Sequence, residues 1–363
     1  DALFQARPEL TFEHVRSLAT RISKNQGTFT IETDSGEAIA ANTVVVALGN
    51  FPSTNPLPPG SPDPPAGWSP DAVKGLPRSA TVLLIWSGLT AVDVCLSLRE
   101  LGHHGRIYLV SRRGLLPRVH PTNAPRTPWD GEEVVDVPLN SLFSKVRRAA
   151  QQDTEAGGTW HGRIDGLRPH TQDIWQLLTL KEKRRFLRLL RPYWDLHRHR
   201  IVPEVHAAVE TLRRSGQLEA IGGRIVSASS LADGAIQATV ELRSGGRREL
   251  AAERAINCSG PELDARRFRV PLLKQLVADG FARYDPLFLG IDATAEGALV
   301  ARSGAVQDGL YALGPLLRGV FWESTAMPEI RVQAAGIASG ILARLLRHAE
   351  SGLPQDYAAA GGN

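Results

Sequence analysis

Residues 81–93 read TVLLIWSGLTAVD, and this stretch decides the fold class. The apolar run 81–85 predicts a strand of the kind found in parallel sheets that are covered on both faces. Residues 86–88 predict a turn, and residues 89–101 predict a helix that Gly102 closes. Residues 106–110 then predict the next strand. Together these elements form the start of a βαβ unit, which places the chain in the α/β class.

The turn of this unit fits the dinucleotide-binding fingerprint G-x-G-x-x-G/A, which also lies between a strand and a helix. Gly88 matches the second glycine and Ala91 the third small residue. Free N–H groups at the start of a helix favour phosphate. The candidate cofactor-binding residues here are Ser87, Gly88, Leu89 and Thr90. Trp86 stands where the first glycine belongs, so two hypotheses remain open: a functioning nicotinamide site, or a degenerate site that keeps only the fold.

Ser111-Arg112-Arg113 follows the second strand of the unit. An NAD-binding protein has an acidic residue at this point to hold the ribose 2′-hydroxyl. A hydroxyl and two guanidinium groups suit a 2′-phosphate instead, which predicts NADP rather than NAD. The alternative is that Arg112 and Arg113 are ordinary surface residues.

An internal repeat organises the rest of the chain. Residues 11–52 and 217–261 each predict a strand, a hairpin with a Ser-Gly turn, and a buried strand that ends in a loop of small residues. Gly49 and Gly260 allow a close backbone approach at these loops. The candidate cofactor-binding residues of the two loops are Leu48, Gly49, Asn50, Gly260 and Pro261.

A third candidate site follows the predicted strand 309–314. A long amphipathic helix is predicted over residues 328–346, and its N-terminus can face the electron-rich edge of a flavin ring. The candidate residues are Gly314, Pro315, Trp322, Thr325 and Arg331. The alternative is that Trp322 packs in the core and Glu323 is exposed to solvent.

The remaining segments connect these units. Residues 114–215 look mainly helical and interrupt the second βαβ region, and the proline-rich stretch 52–77 is interpreted as a linker. Residues 181–200 predict a helix with an apolar stripe and a basic face. We interpret this helix as a solvated surface, with an anion- or RNA-binding surface as the alternative.

Composition excludes several classes of protein. The 363 residues include 22% charged and 42% hydrophobic residues, which is typical of a globular protein of about two domains. No apolar run is long enough to span a membrane, and no signal peptide is visible. Two cysteines exclude a disulfide framework, and the histidines lack the spacing of a metal site. We therefore expect a cytoplasmic protein without a bound metal and without nucleic-acid binding.

Five segments together resemble the flavoproteins with two dinucleotide-binding domains, the group that includes thioredoxin reductase-like enzymes and N-hydroxylating monooxygenases. The closer resemblance is to the FAD/NAD(P)-binding family of bacterial oxidoreductases with the second fingerprint I-G-x-G-L-T-x-V-D. The segments are IWSGLTAVD (85–93), SRRGLLP (111–117), RPYWDLHRHR (191–200), NCSGP (257–261) and GPLLRG (314–319). The resemblance implies FAD and NADP as cofactors. Trp86 is a departure from it.

The resemblance and the repeat together predict two Rossmann-like domains, each a parallel sheet with a β-meander. Residues 1–55 and 270–363 would form an incomplete FAD-binding-type domain. Residues 78–262 would form an NAD(P)-binding-type domain with a helical insertion at about 114–215. The first repeat lacks room for its own βαβ start and its glycine-rich FAD motif, so we expect a preceding segment or a partner chain to complete the FAD site.

The function expected from these features is an FAD-dependent NAD(P)H oxidoreductase or monooxygenase-like enzyme. Hydride would pass from NADPH to flavin, and electrons then to O₂ or an organic small-molecule acceptor. No residue is singled out as a catalytic acid or base. The alternative is a catalytically degenerate protein that binds a cofactor or a partner and whose nicotinamide site is blocked at Trp86.

Overall fold

The computed structural model describes residues 11–122, 127–232 and 234–350, with side chains as far as Arg347. The described chain divides into two compact units. The first unit comprises the residues up to Gly49, Phe268–Val320 and the residues from Ser324 onward. The second unit comprises Asn50–Arg267 together with Phe321–Glu323.

The strands are β1 (Ala19–Asn25), β2 (Thr28–Thr33), β3 (Ala38–Ala41), β4 (Val44–Val46), β5 (Val82–Ile85), β6 (Ile107–Ser111), β7 (Leu218–Ser230), β8 (Ile236–Leu242), β9 (Arg247–Ala252), β10 (Arg254–Asn257), β11 (Ala298–Val300) and β12 (Val306–Ala312). The α-helices are α1 (Leu89–Glu100), α2 (Gly131–Val134), α3 (Leu139–Glu155), α4 (His161–Gly166), α5 (Thr171–Leu177), α6 (Leu180–Arg185), α7 (Arg191–Arg198), α8 (Pro203–Arg214), α9 (Pro271–Ala278) and α10 (Met327–Glu350).

The second unit is built on a sheet with the strand order β10-β5-β6-β7-β8-β9. Strands β10, β5, β6 and β7 are parallel, and β7, β8 and β9 form an antiparallel meander. Successive residues of β5 point to opposite faces. Val82 and Leu84 pack with the residues of α1, whereas Leu83 and Ile85 pack against the meander. An all-apolar β5 is therefore required because both of its faces are covered.

The first unit repeats the same plan, as the sequence predicts. Strands β1, β2 and β3 form an antiparallel sheet, as β7, β8 and β9 do within the larger one. Strand β4 then pairs in parallel with β12, and β10 pairs in parallel with β5. The two predicted hairpins and the strands that follow them are therefore confirmed. Strand β10 is buried as predicted, whereas β4 is only partly buried, because Val45 is 40% exposed.

Helices α2 to α8 lie between β6 and β7 and form the helical insertion that the sequence predicts. The basic helix expected over residues 181–200 consists of α6, a π-helical turn at Phe186–Leu190, and α7. Its last turns pack inward at Leu196, which is buried. The interpretation of residues 52–77 as a linker is wrong, because Leu57 and Ala72 are buried in the second unit. In the part of the chain that the structure describes, no helix is long and apolar enough to cross a membrane.

Candidate functional site

The predicted fingerprint turn lies at the carboxyl end of β5, beside the end of β6. The backbone N–H of Trp86 donates to the carbonyl of Val110 at 2.8 Å. The hydroxyl of Ser87 donates to the hydroxyl of Ser111 at 2.8 Å, and Ser111 also accepts from the backbone N–H of Gly114 at 3.0 Å. Carboxyl ends of adjacent parallel strands meet at one edge of the sheet. Two of the segments predicted from the sequence are therefore brought together.

Helix α1 begins beside open space. Its N-cap residue Gly88 is extended, and among the described residues no side chain forms a capping hydrogen bond to the first turn. A Cβ atom placed on Gly88 would meet no atom within 4 Å. Leu89 and Thr90 continue the chain into the first turn, so their backbone N–H groups belong to the set that α-helices leave unsatisfied. This helix start can therefore accept an anion.

Trp86 takes a backbone conformation that normally requires glycine. Its φ angle is +83°, in the left-handed region. Its side chain remains 38% exposed, and the guanidinium of Arg112 lies 5.2 Å from the ring centre. The backbone at this position thus has a glycine-like conformation despite the indole. The cost is an L-residue in an unfavourable region of backbone space.

A cluster of cations surrounds this turn. Arg113 donates a hydrogen bond to the hydroxyl of Tyr193 at 3.0 Å and lies 4.6 Å above its ring. Loss of hydration lowers the pKa of Arg112, and the positive charges of Arg191 and Arg113 lower it further, with Asp195 opposing them. Like charges held this close favour the binding of an anion, because a phosphate would relieve their repulsion.

Sequence reasoning missed Arg191 and Tyr193 as residues of this site. Each lies about 80 residues from Ser111 along the chain, and α7 carries them to the end of β6. The sequence carries two weaker signals: both residues lie in the basic segment 181–200, for which an anion-binding surface is the alternative interpretation, and in the segment 191–200 that carries the family resemblance. The cation cluster is thus built by two distant segments.

The first unit brings two further predicted segments together. Leu48 and Gly49 follow β4, and Gly314 and Pro315 follow β12, its parallel neighbour. The backbone N–H of Leu313 donates to the carbonyl of Val46 at 3.1 Å. The Gly314 N–H donates to the side chain of Gln333 in α10 at 3.1 Å, so the strand end is tied to this helix.

The start of α10 is open to solvent. Thr325, Met327 and Arg331 are exposed, and α10 begins one residue earlier than predicted. Gly49, with φ +68°, has no atom within 4 Å of a Cβ position. This edge of the first unit therefore offers open backbone and a helix N-terminus, which are the features expected for contact with a flavin.

The other predicted residues belong to the second unit. Asn50 is exposed, and the adjoining segment is held by the backbone N–H of Glu262, which donates to the carbonyl of Phe51 at 3.1 Å. Gly260 and Pro261 lie in that same loop after β10. The loops at Asn50 and at Gly260 are therefore neighbours, although the sequence assigned them to different copies of the repeat.

Trp322 and Glu323 are both held inside the second unit. Trp322 is 6% exposed and stacks on Trp175 at 4.9 Å. The carboxylate of Glu323 accepts from the indole N–H of Trp194 at 2.8 Å and from Arg198 at 3.1 Å. The alternative interpretation is therefore right for Trp322, which packs in the core, and wrong for Glu323, which is not exposed. Its side chain is only 8% exposed, because burial is compensated by these two partners.

Redox chemistry of the protein's own thiols has no structural support at the described positions. Cys95 and Cys258 are free and buried. Burial raises the pKa of Cys95 to about 12 and also raises that of Cys258. The described residues contain no group of three or more side chains that could hold a metal ion.

No family model matches the sequence, and no curated protein matches it. Solved structures do match the fold. An ornithine N-hydroxylase from Kutzneria sp. 744 is 15% identical with a TM-score of 0.59, over 94% of this chain and 75% of that one. An L-lysine 6-monooxygenase from Pseudomonas syringae is 16% identical with a TM-score of 0.60, over 91% and 71%.

A bacillithiol disulfide reductase from Bacillus cereus is 13% identical with a TM-score of 0.51, over 94% of this chain and 77% of that one. Similarity at this level of identity establishes the fold. The chain therefore has the α/β fold of two-domain Rossmann-type flavoproteins, and the fold class expected from the sequence is confirmed.

Proposed function

We propose that this protein is a flavin-dependent oxidoreductase of the monooxygenase-like kind that uses NADPH, FAD and a small organic molecule or O₂ as acceptor. The observation that carries the proposal is the meeting of the fingerprint turn with Arg112 and Arg113 at one edge of the sheet. The fold neighbours support it: the Kutzneria structure is of a complex with reduced FAD, NADP⁺ and L-ornithine. When bound, the cofactors would supply hydride transfer and electron delivery to the acceptor.

The second unit has the residues to hold NADP. The backbone N–H groups at the start of α1 would bind the pyrophosphate, and the open space beside Gly88 leaves room for it. Arg112 and Arg113 would bind the 2′-phosphate through charge-assisted hydrogen bonds. The Ser87–Ser111 hydrogen bond would hold the two loops in a fixed relation.

The first unit has residues suited to a flavin. The positive end of the α10 dipole, with Thr325 and Arg331 exposed beside it, would stabilise negative charge on the ring system. The open backbone at Gly49 permits close approach of a planar ring. We accordingly assign the first unit as the FAD-binding type and the second unit as the NAD(P)-binding type.

The test begins with the purified chain incubated with FAD and freed of excess cofactor by dialysis. We expect retained flavin absorbance that NADPH bleaches under anaerobic conditions. The double variant Arg112→Gln/Arg113→Gln should raise the Kd for NADPH roughly 10- to 100-fold, since hydrogen bonds between charged groups contribute about 1.5–3 kcal/mol. Its Kd for NADH should stay unchanged.

The matched control is Arg99→Gln, an exposed arginine of α1 away from the cluster, which should leave both affinities unchanged. A chain that retains no flavin would contradict the proposal. Equal loss of NADPH and NADH binding in the double variant would contradict the assignment of Arg112 and Arg113 to the 2′-phosphate.

A second candidate function is favoured by one observation, the indole of Trp86 at the first glycine position of the fingerprint. In that case the protein is catalytically degenerate and binds a cofactor or a partner without turnover. It would then retain the fold and the cation cluster, but NADPH would bind weakly until the indole is removed. The variant Trp86→Gly separates the two candidates.

A further inference from the structure

The helical insertion forms a half-open cavity of about 480 Å³ that is lined only by residues of the second unit. Its wall is formed by side chains of α3, α4, α5 and α7, of the π-helical turn and of the loops between these helices, and Trp322 completes it. The residues that define its shape are Leu142, Trp160, Trp175, Phe186, Tyr193 and Trp322. Cavities of this size, between about 300 and 1,000 Å³, are typical of small-molecule sites.

The chemistry of the wall selects against charged ligands. Among the described residues that line the cavity there is no Asp or Glu. Arg147 is the one Lys or Arg among them, and its side chain is exposed. A zwitterionic amino acid would lose its hydration here without a carboxylate to meet its ammonium group. The wall therefore favours a neutral and mostly apolar ligand over a zwitterion.

The aromatic part of the wall is rigid and offers ring faces for stacking. Trp175 stacks on Trp322 at 4.9 Å, and the ring of Phe186 meets Trp322 edge-on at 5.3 Å. Gln172 donates a hydrogen bond to the backbone carbonyl of Trp322. The indole N–H of Trp194, another wall residue, donates to the carboxylate of Glu323 at 2.8 Å. The rings are thus fixed before a ligand arrives, which lowers the entropic cost of binding.

His197 gives the cavity a hydrogen-bonding position. Its Nδ1 lies 2.8 Å from the carbonyl oxygen of Tyr193. A carbonyl oxygen can only accept, so Nδ1 carries the hydrogen and Nε2 of the neutral ring is an acceptor. Burial lowers the pKa of His197, which favours that neutral ring. A ligand O–H or N–H can therefore donate to Nε2.

The cavity adjoins the cation cluster through a shared residue. Tyr193 lines the cavity, while its hydroxyl accepts a hydrogen bond from Arg113 at 3.0 Å. Arg191 likewise lies 5.8 Å from the ring of Trp322 in the wall. A molecule in the cavity is thus separated from the proposed phosphate site by one layer of side chains.

We propose that this cavity binds a neutral, largely aromatic small molecule that donates one hydrogen bond to His197. The binding follows from the wall alone and does not depend on the proposed function. The charged side chains of ornithine and lysine, named for two fold neighbours, do not match this wall.

The test uses N-phenyl-1-naphthylamine, a neutral fluorescent probe with two aromatic groups and one N–H. With the full chain, with and without added FAD and NADP⁺, we expect a saturable rise in probe emission. Ala150→Phe places a ring in the cavity and should weaken binding at least about tenfold. The matched control Ser144→Phe carries the same ring on the exposed face of the same helix and should bind as the wild type does.

His197→Phe replaces the imidazole with another aromatic ring and removes the Nε2 acceptor. This variant should weaken binding of the probe about fivefold. If Ala150→Phe does not fold, Phe143→Trp fills the cavity from its partly exposed rim and should weaken binding in the same direction. L-Ornithine in excess should leave the probe bound. The proposal is overturned by non-saturable emission, by equal affinities of Ala150→Phe and Ser144→Phe, or by displacement with ornithine. Flavin retention is measured on the same samples. Failure of the proposed ligand binding is thereby distinguished from failure of the cofactor assignment.

Discussion

The replacement Trp86→Gly is the sharpest probe of the fingerprint turn. Trp86 has φ +83°, and its indole is 38% exposed beneath the guanidinium of Arg112 at 5.2 Å. Glycine adopts this conformation without steric cost, and it removes the indole from the mouth of the proposed nicotinamide site. The variant therefore tests the backbone geometry and the obstruction of the site together.

The expected change in the free energy of unfolding is small. Relief of the left-handed conformation stabilises the variant by about 1–2 kcal/mol. The greater freedom of glycine in the unfolded chain costs about 0.5–1 kcal/mol, and loss of the exposed cation–π contact costs about 0.5–1 kcal/mol. Trp86→Gly should therefore be as stable as the wild type to within about 1 kcal/mol.

Comparison with Trp86→Ala isolates the backbone contribution. Alanine also loses the contact with Arg112 but keeps most of the unfavourable conformation. The glycine variant should accordingly be more stable than the alanine variant by about 0.5–1 kcal/mol, the reverse of the usual order. Urea unfolding followed by circular dichroism measures both. An alanine variant that is more stable than the glycine variant would refute the left-handed geometry of Trp86.

The same variant reports on cofactor binding. If the indole obstructs the site, Trp86→Gly should bind NADPH at least about fivefold more tightly, equivalent to about 1 kcal/mol. Titration of NADPH fluorescence measures this change. Unchanged or weaker binding would show that the indole does not block the site, and the degenerate function would then lose its structural basis.

Two further predictions concern stability and reactivity. Glu182 accepts from the Thr179 hydroxyl at 2.6 Å and from the backbone N–H of Leu139 at 2.9 Å, which lowers its pKa below the ordinary value of 4.5. Its contribution is complete above that ordinary value and is lost as pH falls through the lowered pKa. Glu182→Gln should thus destabilise by about 1 kcal/mol at neutral pH and flatten the acid side of the stability profile, as measured by urea midpoints across pH. Burial raises the thiol pKa values of Cys95 and Cys258, so iodoacetamide should label neither in the folded protein and both in urea; labelling of the folded protein would contradict their burial.

Much of the fold could be predicted because its signals are local. The apolar run 82–85, the turn after it and the helix α1 lie within twenty residues, and the βα start follows from their order. The repeat predicted both meanders, because the alternation of apolar and polar residues and the Ser-Gly turns recur in both copies. The linker interpretation failed at residues 52–77, since proline content alone does not distinguish a free connection from a loop that packs at Leu57 and Ala72.

The candidate site could be predicted only in part. Ser87 and Ser111 were placed at one edge because parallel strands end together. Tyr193 and Glu323 were not, because each reaches its partner through the packing of a distant segment. The contact of Glu323 with Trp194 spans more than a hundred residues, and no periodicity of the chain encodes it.

The sequence by itself determined the α/β class and the repeated meander, since both depend on hydrogen bonds and burial between near neighbours in the chain. The cofactor role of the fingerprint turn and the 2′-phosphate role of Arg112 and Arg113 stay predictions. Only the tertiary structure decided the left-handed turn at Trp86, the joining of Arg191 and Tyr193 to Arg113, and the apolar cavity of the insertion. A cavity and a charge cluster are properties of the space between packed elements. That space is fixed by close packing of side chains far apart in sequence, which a local pattern cannot specify.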